Sequence, residues 1–369
     1  MCPFDHADRL IEVGRRLVCQ EAARVLVPPQ AAEPGFWFGS GNICRDGDGA
    51  LLLCGRYRNG GDSRLGLRAG VRGFELAIFR STDEGETFEH VLSLSKQDVA
   101  PAGKEVLSIE GSCLRRTQAG LELYVSSEKR RAYPHALGEF QKPGTGVWSI
   151  DVLRAPSVDR LARAKAKPLL RSEEPASLHV KDPVVFELGG PGEAGGDRSF
   201  MVYCVHPFSW TSSSAALAEV LPGGSVRRSR GPLLPRGPVW DVAACRVTAR
   251  LALPRVGVLA DGPPVSLYFY DGAECFHDHG AGGRPRGYSC EEIGGLAAGR
   301  DREFPQLVRL SVDGPLFVSP HGTGCSRYVS VFGTEHRYLV TWQQSQADGS
   351  QPLVINRVPR AEIEAALTG

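Results

Sequence analysis

The chain has 369 residues, of which 42% are hydrophobic and 23% charged, a composition typical of a globular protein with a sizeable core. Its 43 Lys and Arg residues nearly balance its 42 Asp and Glu residues, so no global field would attract nucleic acid or an anionic membrane surface, and neither is expected as a partner. The 44 Gly and 26 Pro residues indicate a fold with many turns.

The N-terminal segment is the first predicted element. Apolar residues recur at helical intervals between residues 5 and 26, and Pro28-Pro29 follows, so we predict a helix there within a lead-in over about residues 1–30. The last residues, 360–369, predict a short C-terminal helix that packs on the final repeat of the fold.

Between about residues 36 and 358, one pattern recurs five times at intervals of roughly 60–80 residues. An apolar run with a polar or acidic residue near its start precedes a second strand-like run. The first runs lie at 39–45, 109–114, 180–186, 240–245 and 324–329, and the second at 50–54, 121–125, 199–203, 265–269 and 337–341. Such a period predicts an all-β fold, a five-bladed β-propeller with one four-stranded sheet per blade around a central channel. Similar repeats also favour a single domain over residues 1–369.

Two longer stretches lack this pattern. Residues 132–146 and 276–305 are irregular, and we do not expect strands in them. Loops on a propeller face usually shape a pocket, so both stretches are expected to border the functional site. The second stretch contains His277-Asp278-His279, but two histidines separated by one residue point to opposite faces of an extended chain, so no metal is expected.

The ten cysteines indicate reduced thiols more than disulfides. Four of them lie in apolar strand-like runs, namely Cys44, Cys113, Cys204 and Cys245. No pair has Cys-x-x-Cys spacing, so neither a zinc site nor another cofactor is predicted. The N-terminus lacks a basic start followed by an apolar run, and no window reaches the ~18 apolar residues of a membrane span, which predicts a cytoplasmic protein.

Three acids are the candidate catalytic residues. The first strand of each blade lines the channel of a propeller, so Glu110, Asp182 and Asp241, near the starts of three such strands, would converge at one mouth. Hydrolysis of a glycosidic bond needs one carboxyl group held protonated and one ionised, which proximity and partial burial provide. The structural alternatives are a turn cap for Asp182, an ion pair for Asp241 and backbone hydrogen bonds for Glu110.

Cations and aromatic residues complete the candidate site. The cations in or beside the inner strands are Arg45, Arg56, Arg58, Lys181, Arg246 and Arg327. They would favour a carboxylated, sulfated or phosphorylated sugar, or alternatively would neutralise the acids inside the channel. Trp37 and Trp240 offer flat faces for stacking on a sugar ring, or alternatively belong to the core. The other candidates for substrate contact are Asn42, His206, His279 and His321.

One hairpin carries a recognisable motif. Ser81-x-Asp83-x-Gly85-x-Thr87-Phe88 resembles the Asp-box, a hairpin motif of sialidases and other propellers. In such a hairpin the Asp side chain bonds turn amides and Gly allows a positive φ. One copy in five repeats supports a propeller and adds little to a sialidase interpretation.

The order of the repeats and the placement of their acids resemble the five-bladed glycoside hydrolases and phosphorylases, a group of arabinanases, β-xylosidases, invertase-like fructosidases and β-mannoside phosphorylases. The segment Lys181-Asp182-Pro183 resembles the Arg-Asp-Pro segment of the fructosidases, whose Asp stabilises the transition state. The resemblance implies a glycosidase that acts on a small carbohydrate, with Asp182 holding sugar hydroxyls or tuning a neighbouring acid.

The sequence departs from this group in two places. The first repeat reads Gly39-Ser40-Gly41-Asn42, with no acid where the group supplies one, and the fourth offers Asp241 where the general acid is usually Glu. Glu110 in the second repeat is the carboxylate that could replace the missing one. The sequence therefore predicts Asp241 as general acid, Glu110 as base and Asp182 as the residue that orients substrate.

Two other classes of function stay open. Polysaccharide lyases on propeller scaffolds use His, Tyr and Arg to abstract a proton beside a uronate carboxylate, and His206 or His321 would serve such a reaction. A non-catalytic carbohydrate-binding propeller is the third class. Three acids at the starts of inner strands favour the hydrolase.

Overall fold

The computed structural model describes residues 4–59, 72–189, 198–208, 212–274 and 292–369. Its strands form five antiparallel sheets that follow one another along the chain, which confirms the predicted five-bladed all-β propeller. Both faces of each blade pack on neighbouring blades, so the second strands are apolar runs, and the second strand of blade 4 is buried at every position. None of the described helices is long and apolar enough to cross a membrane.

The strands are assigned to the blades as follows. Blade 1 contains β2 (Trp37–Gly39), β3 (Ile43–Arg45), β4 (Leu51–Arg58), β5 (Glu75–Ser81) and β6 (Glu89–Ser95). Blade 2 contains β7 (Val106–Thr117), β8 (Gly120–Lys129), β9 (Val147–Ala155) and β10 (Lys167–Leu170). Blade 3 contains β11 (His179–Leu188), β12 (Arg198–His206), β13 (Ser214–Val220) and β14 (Val226–Leu234). Blade 4 contains β15 (Ala244–Ala252), β16 (Val265–Ala273), β17 (Ile293–Arg300) and β18 (Val308–Arg309). Blade 5 contains β19 (Ser326–Gly333), β20 (Arg337–Gln344), β21 (Leu353–Pro359) and β1 (Arg24–Val27).

The helices lie outside the blades. They are α1 (Ala7–Leu17), α2 (Val158–Leu161) and α3 (Arg360–Thr368). Leu10 and Leu17 of α1 join Ile363 and Leu367 of α3 in the same apolar cluster, against blades 4 and 5. Short 3₁₀ helices occupy His135–Phe140, Pro175–Ser177, Gly257–Leu259 and Asp301–Glu303.

The N-terminal segment closes the ring. The helix predicted over residues 5–26 ends at Leu17, and Arg24–Val27 forms β1, which pairs with β21 as the outer strand of blade 5. The valines at positions 25 and 27 favour a strand, and β21 would otherwise be an unpaired edge. Pairing with that edge outweighs the helical spacing of the same residues.

The inner strands share one irregularity that creates the channel mouth. Pairing shifts register within β7, β11, β15 and β19, and in blade 1 residues 40–42 separate β2 from β3. Ser40, Asp182 and Tyr328, inside these breaks, have left-handed backbones with φ of 67°, 54° and 56°. A bulge changes the direction in which its side chain points. Residues from all five breaks, including Gly111 and Thr248, thus line one small cavity on the propeller axis.

Strand β17 corrects the expectation that residues 276–305 contain no strand. Its run of Gly and Ala has low β propensity, but the missing side chains leave room for aromatic rings from neighbouring elements. A Cβ added to Gly294 would stand 2.8 Å from Phe317, and one added to Gly295 would stand 2.5 Å from Tyr270 and 2.8 Å from Trp240. Packing therefore overrides propensity here.

Replacement of Gly295 by alanine is expected to destabilise the fold. The new Cβ would overlap Tyr270 Cζ, and overpacking of this kind costs about 1–3 kcal/mol. The midpoint of urea unfolding should fall accordingly. Gly314→Ala is the matched control, because a Cβ there meets no atom within 4 Å. Equal midpoints for the two variants would contradict the packing argument.

Candidate active site

The backbone next to Glu110 contacts Asp182 at the axial mouth. The N–H of Gly111, next to Glu110, donates to Asp182 Oδ1 at 3.0 Å, and the N–H of Asp182 donates to Ser126 Oγ at 3.1 Å. A Cβ on Gly111 would stand 2.5 Å from Asp182 Oδ1 and 3.0 Å from Ser40 Oγ. Glycine at this position is what allows the inner strands of blades 1, 2 and 3 to meet.

Glu110 is held ionised by a buried arginine. Arg56 donates from Nε at 3.0 Å and Nη2 at 2.5 Å to the same oxygen, Oε2, and Oε1 accepts no hydrogen bond from the described residues. Burial alone would raise the pKa of Glu110, but the Arg56, Lys181 and Arg58 cations outweigh it and lower that pKa well below its usual range. The carboxylate therefore stays charged near neutral pH, and one of its oxygens is not bonded by any described residue.

Arg246 joins three carboxylates from blades 3 and 4. Its Nη1 donates to Asp182 Oδ2 at 3.0 Å, and its Nη2 donates to Asp271 Oδ2 at 2.8 Å and to Glu292 Oε1 at 3.0 Å. All four side chains are at most 6% exposed. Burial opposes the charged form of Arg246, but Tyr328 and these carboxylates raise its pKa well above the usual range. We call Glu110, Asp182, Asp271, Glu292 and their arginines Arg56, Arg246 and Arg327 the axial cluster.

The pKa values of the two other acids of the axial cluster are shifted in opposite directions. Burial raises the pKa of Asp271 to about 6, although Arg246 opposes the shift. For Glu292, burial is outweighed by Arg327, Arg246 and Lys181, which lower its pKa to about 2. Asp271 also accepts the backbone N–H of Tyr328, at 3.0 Å and 3.1 Å from its two oxygens. Its carboxyl group is therefore fully engaged inside the wall of the mouth.

Cations and aromatic rings surround the axial cluster. The guanidinium of Arg58 lies 4.2 Å from the ring centre of Trp37, and that of Arg327 lies 4.5 Å from it. Burial lowers the pKa of Arg58 to about 10; neighbouring arginines add to this shift, and Glu110 opposes it. Trp37 thus contacts cations at the mouth. Lys181 Nζ lies 3.8 Å from Asp182 Oδ2 and makes no hydrogen bond to a described residue.

No protein-family model matches the chain, and no curated protein matches it either. Solved structures match along nearly its whole length. A glycoside hydrolase does so with a TM-score of 0.63 and 11% identity, over 96% of this chain and 95% of that one. An α-L-arabinofuranosidase from Lactobacillus brevis has a TM-score of 0.57 and 10% identity, over 90% and 95%. A β-1,2-mannobiose phosphorylase from Listeria innocua has a TM-score of 0.53 and 12% identity, over 93% and 96%.

The likeness is one of fold. It confirms the predicted resemblance to the five-bladed glycoside hydrolases and phosphorylases at the level of architecture. Identities of 10–12% leave the chemistry of this chain to be argued from its own residues.

Asp241 is not brought to the axial cluster. The fourth inner strand begins at Ala244 rather than near Trp240, so Arg246 occupies the axial position and Asp241 lies in the preceding loop. There Asp241 is fully buried, 2.9 Å from Arg309 Nε on the outermost strand of its blade. Burial raises its pKa, and Arg309 opposes the shift. Among the described contacts, none joins Asp241 to Glu110 or Asp182.

Trp240 and Asn42 have structural contacts in the folded chain. Trp240 is buried, stacks on Tyr270 with ring centres 5.6 Å apart, and donates from Nε1 to the Ser311 carbonyl at 2.8 Å. Asn42 bridges the inner strands of blades 1 and 2, where its Oδ1 accepts the N–H of Leu114 at 2.7 Å and its Nδ2 donates to the carbonyl of the same residue at 2.9 Å. Trp240 is therefore committed to packing within blade 4, and Asn42 to the junction of blades 1 and 2.

Arg45 lies at the opposite end of its blade from the mouth. It forms an exposed pair with Glu84, 3.0 Å away, in the turn between β5 and β6. In that turn Asp83 Oδ1 accepts the Thr87 N–H at 3.0 Å, and Gly85 has a φ of 85°. Arg45 therefore supports a hairpin and does not contact the axial cluster in the described structure.

The histidines divide into three cases. His206 stacks on His179, with ring centres 4.5 Å apart. Burial, together with Lys181, lowers the pKa of His179 to about 3, so this ring is neutral at physiological pH. His321 is exposed in the loop before β19, where its N–H donates to Ser319 Oγ at 3.1 Å. His279 lies outside the described residues.

The described part of the chain contains no group of three or more His, Cys, Asp or Glu side chains arranged to hold a metal ion. The carboxylates that converge at the mouth are instead neutralised by arginines. Protein cations and anions together therefore set the local field of the mouth.

Proposed function

We propose that the protein is a glycosidase that hydrolyses a glycosidic bond in a small oligosaccharide or glycoside at the axial mouth. The observation that carries the proposal is the meeting of two inner strands, where the N–H of Gly111, the residue after Glu110, donates to Asp182 Oδ1 beside the axial cavity. The fold is shared with a glycoside hydrolase and an arabinofuranosidase, which supports the same class of chemistry.

The two acids are proposed to have different roles. Glu110 is ionised, and its Oε1 accepts no hydrogen bond from a described residue, so this oxygen is the one assigned to take a proton from attacking water. Asp182 has both oxygens engaged, one by the Gly111 N–H and one by Arg246, so we assign it to substrate orientation and to the local field. The strained backbone of Asp182 fixes its position, which suits an orienting residue.

The charge of the mouth favours a sugar that carries a carboxylate. Among the described residues, five cations face four acids there: Arg56, Arg58, Lys181, Arg246 and Arg327 against Glu110, Asp182, Asp271 and Glu292. Near neutral pH Asp271 is still partly protonated, because its pKa is raised to about 6. The described groups of the mouth therefore carry a net positive charge, and the Lys181 ammonium, which makes no hydrogen bond to a described residue, can donate to an anionic substrate.

The purified protein is expected to release reducing sugar in a screen of nitrophenyl glycosides and short oligosaccharides that includes neutral and uronate-containing members. Nitrophenolate release and mass spectrometry of the products measure the reaction, and addition of one water across the cleaved bond is the hydrolase result. Hydrolysis by an Asp182→Asn preparation should be slower under the same conditions. Saturable binding without turnover of any member would replace the proposal with a carbohydrate-binding module.

A second candidate, a polysaccharide lyase acting on a uronate, is favoured by the arginines and the Tyr328 ring packed together at the mouth. Arg246 lies 4.1 Å and Arg327 5.4 Å from that ring centre. Cations beside a tyrosine could neutralise a uronate carboxylate while a proton is abstracted next to it. Products that absorb as unsaturated uronates, formed without uptake of water, would select this reaction over hydrolysis.

A cytoplasmic location remains part of the proposal. The cysteines that the structure describes are free thiols, and six of them are buried. Reduced thiols are typical of proteins kept in a reducing compartment.

A further inference from the structure

Hydrolysis at the axial mouth requires a proton donor for the leaving group, and the described carboxyl groups there are poor donors. Glu110 and Glu292 are held ionised by arginines, and both Asp182 oxygens are engaged. Asp271 binds a proton more readily, but it is 1% exposed and accepts hydrogen bonds from Arg246 and from the Tyr328 backbone. Among the described residues, the candidate proton donor is therefore an O–H group other than a carboxyl.

The Tyr328 hydroxyl is a neutral O–H group in the same place. Three guanidinium groups surround its ring, those of Arg246, Arg327 and Arg56, at 4.1 Å, 5.4 Å and 5.9 Å from the ring centre. The residue is 7% exposed, and its hydroxyl makes no hydrogen bond to a described residue. Burial raises the pKa of this phenol far above its usual value; Arg246 and Arg56 oppose the shift, and Asp182 and Glu110 add to it, so the hydroxyl is protonated at neutral pH.

The backbone fixes this side chain on the axis. Tyr328 lies in the register break of β19 with a φ of 56°, a conformation that is unfavourable for a bulky side chain. Asp271 stabilises the turn by accepting its N–H. Backbone strain held by surrounding hydrogen bonds is a feature of residues whose position matters for function.

We propose that Tyr328 is the general acid of the glycosidase, an assignment that rests on the function proposed above. As the bond between the anomeric carbon and the glycosidic oxygen breaks, the phenol gives its proton to that oxygen, which keeps the bonding electron pair. Water adds to the anomeric carbon and gives a proton to Glu110. The phenolate is stabilised by Arg246 and Arg56 until a proton returns to it from Glu110 through solvent.

The test is a Tyr328→Phe variant assayed with two glycosides of the same sugar, both hydrolysed by the wild type. For an alkyl glycoside or disaccharide, whose leaving oxygen needs a proton, we expect kcat to fall by about 10²–10⁴-fold. For the dinitrophenyl glycoside, whose leaving group departs as an anion, the loss should stay below about 10-fold. Tyr270→Phe is the matched control, because that hydroxyl bonds Ser311 within blade 4, and it should lose little on either substrate.

Three results would overturn the assignment. Equal losses on both glycosides would show that Tyr328 positions substrate or reacts in another way, while the proposed function stands. An unchanged rate on the disaccharide would remove Tyr328 from the reaction. Failure of the wild type to hydrolyse any glycoside would reject the proposed function itself, and the assignment with it. A thermal unfolding midpoint for Tyr328→Phe close to that of the wild type establishes that the variant is folded.

Discussion

Replacement of Glu110 by glutamine is expected to lower kcat by about 10²–10⁴-fold, because the amide cannot accept the proton of attacking water. The substitution should leave the propeller folded. The glutamine carbonyl can still accept hydrogen bonds from Arg56, which donates to only one oxygen of Glu110. Initial rates on the best substrate of the screen, with circular dichroism of the same preparation, measure both effects.

Asp241→Asn is the control that separates this site from the one predicted from sequence. Asp241 is buried against Arg309 on the outer strand of blade 4, so its amide variant should lose thermal stability and keep a kcat within a few-fold of the wild type. A large loss of kcat in Asp241→Asn, with near wild-type rates in Glu110→Gln, would reverse the assignment. Such a result would restore the sequence-based choice of general acid.

The architecture could be predicted from sequence because it repeats. Second strands such as β8 and β16 are buried on both faces and appear as apolar runs, and their regular spacing reveals the blades. Strand β17 was not predicted, because its Gly and Ala residues are needed to leave room for Phe317 and Tyr270, which lie in other parts of the sequence. The β propensity of the residues in this strand does not reveal such a contact.

The candidate site was only partly predictable, because strand register decides which side chains reach the axial mouth. Glu110 and Asp182 fall inside the breaks of β7 and β11. Asp241 precedes β15 by a few residues, and its side chain lies against Arg309 on the outer strand of blade 4 instead. Asp271 and Glu292 were missed for a related reason. Asp271 follows an apolar run in a second strand, where an acid can simply mark the end of the strand. Glu292 lies in the stretch 276–305, which was predicted to be irregular.

Tyr328 carried no distinguishing signal in the sequence. Its importance comes from a left-handed backbone and from three arginines that reach it from blades 1, 4 and 5. The identity of each arginine could be read from the chain, but their convergence on one ring follows only from the closed ring of blades.

Arg246→Met is expected to produce the largest loss of stability, about 3–5 kcal/mol at neutral pH, as measured by urea unfolding. Methionine preserves much of the side-chain volume but removes the charge that Asp182, Asp271 and Glu292 share. Three buried carboxylates would then face one another with too few cations. Arg45→Met is the matched control, since its pair with Glu84 is 39% and 55% exposed and such surface pairs contribute about 0–1 kcal/mol.

The loss in Arg246→Met should depend on pH in a defined direction. In the wild type the raised pKa of Asp271, about 6, means that its contribution to stability is present at low pH and is lost as pH rises through 6. Glu292, with a pKa of about 2, contributes above its usual pKa and loses that contribution only as pH falls toward 2. Without Arg246 the pKa of each neighbouring carboxyl must rise. Protonation of these carboxyls as pH falls should therefore restore more unfolding free energy to the variant than to the wild type.

The difference in unfolding free energy between wild type and Arg246→Met should therefore be largest near pH 8 and should shrink toward pH 5. A difference that is constant over this range would mean that Arg246 acts through packing rather than charge. A loss no greater than that of Arg45→Met would mean that the carboxylates of the axial cluster do not depend on Arg246 for their burial. Either result would also weaken the functional proposal, because the same cation holds Asp182 against the mouth and lies over the Tyr328 ring.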